Sequence, residues 1–283
     1  MSASAHSFAP EPDGRVVSLQ ETTLAACIAE TGARIRRAPT HAAHRWALFQ
    51  LLCAACDWQR ALQKLQVYAQ LDTRQTSTAF AYRDLIRAES RRARVLDGSE
   101  RPAVVFDAPS WMNDMLDALR LARDGQIGAA DDARERALDA APLVAAVAND
   151  RHLDWIADSD TRLGPVCEIV AAGHYRWVPL SDIASWTIAR PASLVDLLWA
   201  PCTLELSDDS TMHGFMPARY PDSTDTDDAL RVGRTTRWRE AGRTGIIASG
   251  QKTWASSAGD FGLFELPVCH FVDAPKQRQP TGR

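Results

Sequence analysis

The hydrophobic period of this chain changes near Asp150, and that change limits the possible folds more than any short motif does. From Val16 to about Ala141, Ala, Leu, Arg and Gln recur at helical spacing, with little Gly or Pro inside the periodic stretches. The spacing predicts helices over Leu19 to Arg37, His44 to Cys56, Trp58 to Leu71, Thr76 to Leu96 and Ser110 to Arg123, the fourth ending at Asp97-Gly98. Beyond Asp150 the pattern becomes short β-prone runs between Pro, Gly and Asp: His174 to Val178, Ser185 to Ala189, Cys202 to Leu206, Met212 to Met216, Thr235 to Ala241, Gly245 to Ala248 and Phe261 to Phe271. Asp208-Asp209-Ser210 and Ser249-Gly250 look like connecting turns. Ser193 to Trp199 and Asp227 to Gly233 look like brief helices with Ser or Asp caps.

The expected fold class is α+β: an N-terminal all-α, tetratricopeptide-like half followed by a C-terminal antiparallel-sheet α+β domain. In boundaries, residues 1–15 form a disordered arm, 16–145 the helical domain, 150–272 the α+β domain and 273–283 a polar tail. The tetratricopeptide likeness rests on small residues where paired helices cross. Gly125, Ala130, Ala137 and Pro142 fit one repeat, and Trp46, Leu48, Leu52, Cys56 and Ala61 fit another partially. Helices crossing at roughly 8 to 10 Å leave no room for bulky contacts. Stacked pairs of this kind suit an amphipathic partner helix, whereas a plain helical bundle would use every apolar stripe as core.

With 46% hydrophobic residues in 283, the chain can bury a sizeable core. Its net charge of −4 offers no general attraction to nucleic acid. No apolar run approaches the roughly 18 residues needed to cross a bilayer. The six cysteines are scattered and no leader-like pattern opens the chain, so we expect a cytoplasmic protein with reduced thiols.

Three clusters invite a chemical reading. His41, His44, Cys53 and Cys56 form a zinc-like ligand set, yet nine helical residues from His44 to Cys53 span roughly 13.5 Å, so packing is the expected role and no metal is assigned. Arg83, Arg87, Arg91, Arg92 and Arg94 share one helix, diluted by Asp84, Glu89 and Asp97. They read as a solvated face, with an acidic partner patch as the alternative. Asp154, Asp158, Asp160 and Glu168 surround Arg162 and could perform acid-base chemistry or bind a divalent cation. The spacing favours a structural account: Ser159 or Asp160 caps a helix over Leu163 to Ala172, Pro165 sits in its first turn, Gly173 ends it, and Arg162 locks the turn against a carboxylate. No Gly-rich phosphate loop, GxSxG elbow or HExxH helix occurs, so neither a catalytic residue nor a cofactor is assigned.

Six of the nine tryptophans fall after Asp150. Most are expected in the core, but Trp155, Tyr175, Arg219 and Tyr220, if exposed together, would make a protein-binding hot spot. The full candidate partner-binding set is Trp155, Asp158, Asp160, Arg162, Tyr175, Trp177, Arg219 and Tyr220.

Several collinear motifs carry a family resemblance. They are His44 to Cys53 (HRWALFQLLC), Asp57 to Leu62, Trp155 to Pro165, Tyr175-Arg-Trp-Val-Pro179, Asp196 to Pro201, Arg219-Tyr-Pro221, Asp227 to Leu230 with Arg234 to Trp238, and Gly250-Gln251 leading to Ala258-Gly259. In this order they resemble the ImpE/TagJ family, also called SciE-type, accessory proteins of bacterial type VI secretion systems. The resemblance implies a non-enzymatic cytoplasmic adaptor. Its implied partner is the small sheath subunit, through that subunit's N-terminal helix, with an influence on the ClpV disassembly ATPase. Two other classes stay open: a metal-dependent hydrolase centred on Asp158, Asp160 and Glu168, and a baseplate component or effector chaperone.

Overall fold

A computed structural model of the protein describes residues 22–221 and 227–272. The expected N-terminal arm, the polar tail and the start of the first helix at Leu19 lie outside them. Six helices come first, interrupted by one short strand: α1 (Leu24–Arg37), α2 (Ala42–Ala54), α3 (Trp58–Leu71), α4 (Thr76–Leu96), β1 (Ala103–Val104), α5 (Ser110–Arg123) and α6 (Ile127–Ala140). The starts have local causes. The Thr23 hydroxyl accepts the Ala26 N–H at 3.2 Å to cap α1, and the Asp57 carboxylate accepts the Arg60 N–H at 3.2 Å to cap α3. Gly98 closes α4 at φ +79°, and a Cβ there would lie 2.5 Å from the Leu119 carbonyl, so the glycine lets α5 approach this end.

The second half contains β2 (Ala145–Ala148), β3 (Arg151–Leu153), β4 (Ile156–Asp158), β5 (Val166–Ala171), β6 (His174–Pro179), β7 (Ile183–Ile188), β8 (Trp199–Leu206), β9 (Thr211–Pro217), β10 (Arg219–Tyr220), α7 (Asp228–Arg231), β11 (Thr236–Ala241), β12 (Gly245–Gln251), β13 (Thr253–Ser256), β14 (Gly259–Gly262) and β15 (Val268–Val272). Among the described residues, nine strands form one sheet in the order β1-β6-β5-β9-β8-β7-β15-β2-β3, antiparallel except where β1 joins β6. Two three-stranded sheets, β10-β12-β11 and β14-β13-β4, accompany it. The α+β class is as expected. The short helical turn at Leu194–Leu197 starts at the anticipated Ser193, where the Asp196 carboxylate accepts the N–H groups of Ala192 and Ser193, each at 2.8 Å.

The expected helix over Leu163 to Ala172 is instead the strand β5. All six residues of Val166–Ala171 are buried, because β5 has a core on each face and therefore shows no polar alternation. Val166 and Val170 face the helices, while Cys167 and Ile169 face the opposite core. Gly173 does adopt the left-handed conformation, φ +76°, but with Ala172 at φ +50° it makes the two-residue turn of the β5–β6 hairpin. Ser249-Gly250 also differs from expectation, lying inside β12 rather than joining two strands. Phe261 to Phe271 is split between β14 and β15 by a helical turn.

One apolar core lies between helices and large sheet, where Phe49, Tyr82 and Leu85 meet Trp177, Trp199 and Tyr220. A second fills the sheet's other face, where Trp186 stacks on Trp254 with ring centroids 4.9 Å apart. No helix among the described residues is long and apolar enough to cross a membrane.

Candidate functional site

The acidic cluster sits at the first core's edge, where α4 meets β5 and the two small sheets. Alternation along β5 points Glu168 to the helix side with Val166 and Val170, and there Arg92 of α4 meets it. The guanidinium is bidentate, with Nε to Oε1 at 2.7 Å and Nη2 to Oε2 at 2.8 Å, while Nη1 donates to the Arg219 carbonyl at 2.9 Å. Tyr175 donates its hydroxyl to Glu168 Oε1 at 2.6 Å and accepts the Trp177 indole N–H at 2.7 Å. Lys252 Nζ bridges the two acids, reaching Glu168 Oε2 at 2.9 Å and forming a shorter contact to Asp158 Oδ2. The other oxygen of Asp158 accepts the Tyr220 hydroxyl at 2.6 Å and the Asp160 N–H at 2.9 Å. Arg92, Lys252, Asp158 and Glu168 are all buried.

Asp160 turns away from this centre. It accepts the Arg162 N–H at 2.9 Å, pairs with the Arg162 guanidinium at 2.5 Å, and takes the Ala248 N–H at 2.9 Å. Arg162 therefore locks a turn against Asp160 as expected, but the turn leads into a strand. Arg219 finishes the carboxyl end of α2, donating to the carbonyls of Cys53 at 2.9 Å and Ala54 at 2.8 Å and to Cys56 Sγ at 3.2 Å.

The two acids respond differently to the same burial. Burial pushes the Asp158 carboxyl up to about 6, although Lys252 works against the rise. For Glu168 burial also disfavours the charge, but Arg92 and Lys252 outweigh it and hold the carboxyl well below its usual range. Asp158 and Glu168 thus converge on Lys252 Nζ, the place a bound cation would take. Among the described residues no group of three His, Cys, Asp or Glu is arranged to hold a metal. His41 and His44 stack with ring centroids 4.3 Å apart, while Cys53 is buried in the core.

The exposed hot spot expected of Trp155, Tyr175, Arg219 and Tyr220 does not form. Tyr175, Trp177, Arg219 and Tyr220 are buried, as are Asp158 and Asp160, and Arg162 is mostly covered. Their hydroxyl, indole and guanidinium groups satisfy other buried polar groups and cannot face a partner in this arrangement. Trp155 keeps 36% of its surface exposed.

Sequence reasoning missed Arg92, Glu89 and Lys252. Arg92 was grouped with a solvated arginine face, yet it stands on the apolar stripe of α4, four residues after Ala88 and four before Leu96. Glu89, on the same helix, accepts the Trp199 indole N–H at 2.8 Å. For Lys252 the signal was its rarity, one of three lysines in the chain, set between Gly250-Gln251 and Thr253-Trp254.

Comparison with known proteins gives this architecture a context. The sequence model of the family described as ImpE protein matches residues 150–270. A protein of Pseudomonas aeruginosa PAO1, named type VI secretion system accessory component TagJ, is 36% identical over 239 residues, 84% of each chain. This chain belongs to the ImpE/TagJ family. A crystal structure of a Vibrio parahaemolyticus protein superposes with a TM-score of 0.83 at 22% identity, covering 90% of this chain and 96% of that one, which shows a shared fold. The charged centre of this ImpE/TagJ chain is completed from outside the matched region, because Arg92 lies in the helical half.

Proposed function

We propose that this chain is a cytoplasmic accessory protein of a type VI secretion system that acts by binding, with the N-terminal helix of the small sheath subunit as its partner. Through that contact it influences how the ClpV ATPase handles the sheath. The observation that carries the reading is the extended identity to a type VI secretion accessory component, which spans helical and sheet halves alike. The charged centre agrees with a binding role. Its carboxylates are engaged by Arg92 and Lys252 inside the core, where they join helices to sheets and hold the molecule in one shape. In this reading Asp158, Asp160, Arg162, Tyr175, Trp177, Arg219 and Tyr220 support the docking surface from behind, and Trp155 is the member that could touch a partner.

The reading is tested by calorimetry of the full chain with a synthetic peptide of the sheath subunit's N-terminal helix. Saturable heat at micromolar concentration is expected, and its absence at high concentration would count against a sheath partner. The same titration with Trp155→Ala tests that residue's part: a weakened complex with an unchanged melting temperature places it at the contact.

A further inference from the structure

Strand β11 is the longest strand with an unpaired edge among the described residues, since it closes the β10-β12-β11 sheet and pairs with β12 alone. Its register decides which main-chain groups face that edge. Ile246 donates its N–H to Thr161 Oγ1 at 2.8 Å and Ala248 donates to Asp160 Oδ2 at 2.9 Å, both on the side of β12 away from β11. Residues directly opposite in an antiparallel pair either exchange both hydrogen bonds or exchange none. Glu240 and Trp238, opposite Ile246 and Ala248, therefore turn their N–H and C=O groups away from β12. Among the described residues no backbone group pairs with them.

The side chains give this edge two distinct faces. Trp238 is 47% exposed and Ile246, on the same face, 41%. Arg237 and Arg239 share the opposite face with Ile247. Arg237 pairs with Asp227 at 3.2 Å, whereas Arg239 is exposed with no ion-pair partner among the described residues.

A second copy of the chain is a poor fit. In an antiparallel edge pair, outward-directed residues must oppose outward-directed residues. Thr236, Trp238 and Glu240 would then face one another, and each central register would set an arginine of one copy directly against an arginine of the other. Like charges directly opposite are destabilising. The charge pattern thus guards the edge against self-association while leaving it open to a strand of opposite charge.

We infer that the outer edge of β11 is a docking edge for an extended segment of a partner protein. The segment adds a fourth strand to the small sheet, with acidic side chains on the Arg237 and Arg239 face and apolar side chains on the Trp238 and Ile246 face. Main-chain hydrogen bonds supply affinity and the alternating side chains supply selectivity. This edge does not depend on the sheath-helix reading, which requires a helical ligand.

The test uses the full chain and two capped eight-residue peptides, one alternating Val and Glu, the other Val and Lys. The Val/Glu peptide is expected to bind saturably and to slow amide exchange at Trp238 and Glu240, leaving the amides of Arg237 and Arg239, already bonded to β12, nearly unchanged. Arg239→Glu is expected to weaken binding about tenfold by reversing the facing charge. Trp238→Pro, which removes an outward N–H but spares the β12 ladder, abolishes it, with a thermal melt confirming the fold. Should that variant unfold, Arg239→Glu and the Val/Lys peptide decide. Absence of Val/Glu binding at millimolar concentration, equal binding of the Val/Lys peptide, or binding indifferent to these variants overturns the inference. Slow exchange at the same two amides in a self-associated form without peptide would assign the edge to a second copy instead.

Discussion

Where α4 meets β5, Arg92 and Glu168 pair out of reach of water, whereas where α6 meets the turn between β11 and β12, Arg243 reaches Asp132 and Glu135 from solvent. Both seams join helices to sheets, and both centre on a carboxylate. In the first, Glu168 carries two cations and a tyrosine hydroxyl. In the second, Asp131 accepts the N–H groups of Arg243 at 2.7 Å and Thr244 at 3.0 Å and pairs with Arg134 at 3.1 Å. The contrast teaches that a charge at a seam matters according to what its removal would strand. Removing Glu168 from the buried centre takes the main counterion from two cations that water cannot reach, while the rim of the second seam can be rehydrated.

The largest expected effect breaks the first seam. Glu168→Gln leaves buried Arg92 with only Glu89, 3.6 Å away, and buried Lys252 with only Asp158 as close acids, and should lower unfolding free energy by about 3 to 5 kcal/mol in denaturant titration. A loss under about 1 kcal/mol would show that the centre is not held by charge.

The second effect separates the two acids by pH. Asp158 titrates near 6 when folded and at 3.8 as a free group, so its contribution to stability is fully present below about pH 4 and lost as pH rises through 6, on the order of 3 kcal/mol. Glu168, held below its usual range, has the opposite sign: its contribution is present above about 4.5 and lost as pH falls. Asp158→Asn should therefore match the wild type near pH 4 and gain on it through pH 6. A wild-type advantage that grows over that window would reverse the assignment.

At the second seam, Asp131→Ala should cost about 1 to 3 kcal/mol, since two backbone donors lose a charged acceptor. Its carboxyl is lowered to about 2, chiefly by the Arg243 N–H, so its contribution is present above 3.8 and lost as pH falls toward 2. Arg243→Ala, at the exposed rim, should leave the denaturation midpoint nearly unchanged, because its ion pairs are screened by solvent. Equal costs for Asp131→Ala and Arg243→Ala would erase the distinction between the polar clasp and its rim.

Much of this arrangement was legible locally. The bounds of α3, α4 and α5 follow from apolar spacing and from Asp57 and Gly98 at their ends. The β6 to β9 runs follow from β-branched and aromatic residues between turn formers. The misreading of β5 came from Cys167-Glu-Ile-Val-Ala171, a short apolar run whose helical and strand readings periodicity cannot separate. The Ala172-Gly173 turn before His174 was the available clue. Of the eight residues chosen as a partner site, seven are buried or mostly covered and form an internal support, while Trp155 stays partly exposed.

The sequence alone determined the change of texture at Asp150, most helix ends, the Asp208-Asp209-Ser210 turn, and membership of the ImpE/TagJ family, because these depend on residues within a few positions or on collinear motifs. The tertiary structure decided which charges are buried. Arg92 meets Glu168 across 76 residues, and Lys252 meets Asp158 across 94 and Glu168 across 84. No local period reports a pairing over that distance, since a charged side chain belongs in water until the fold brings its counterion to it.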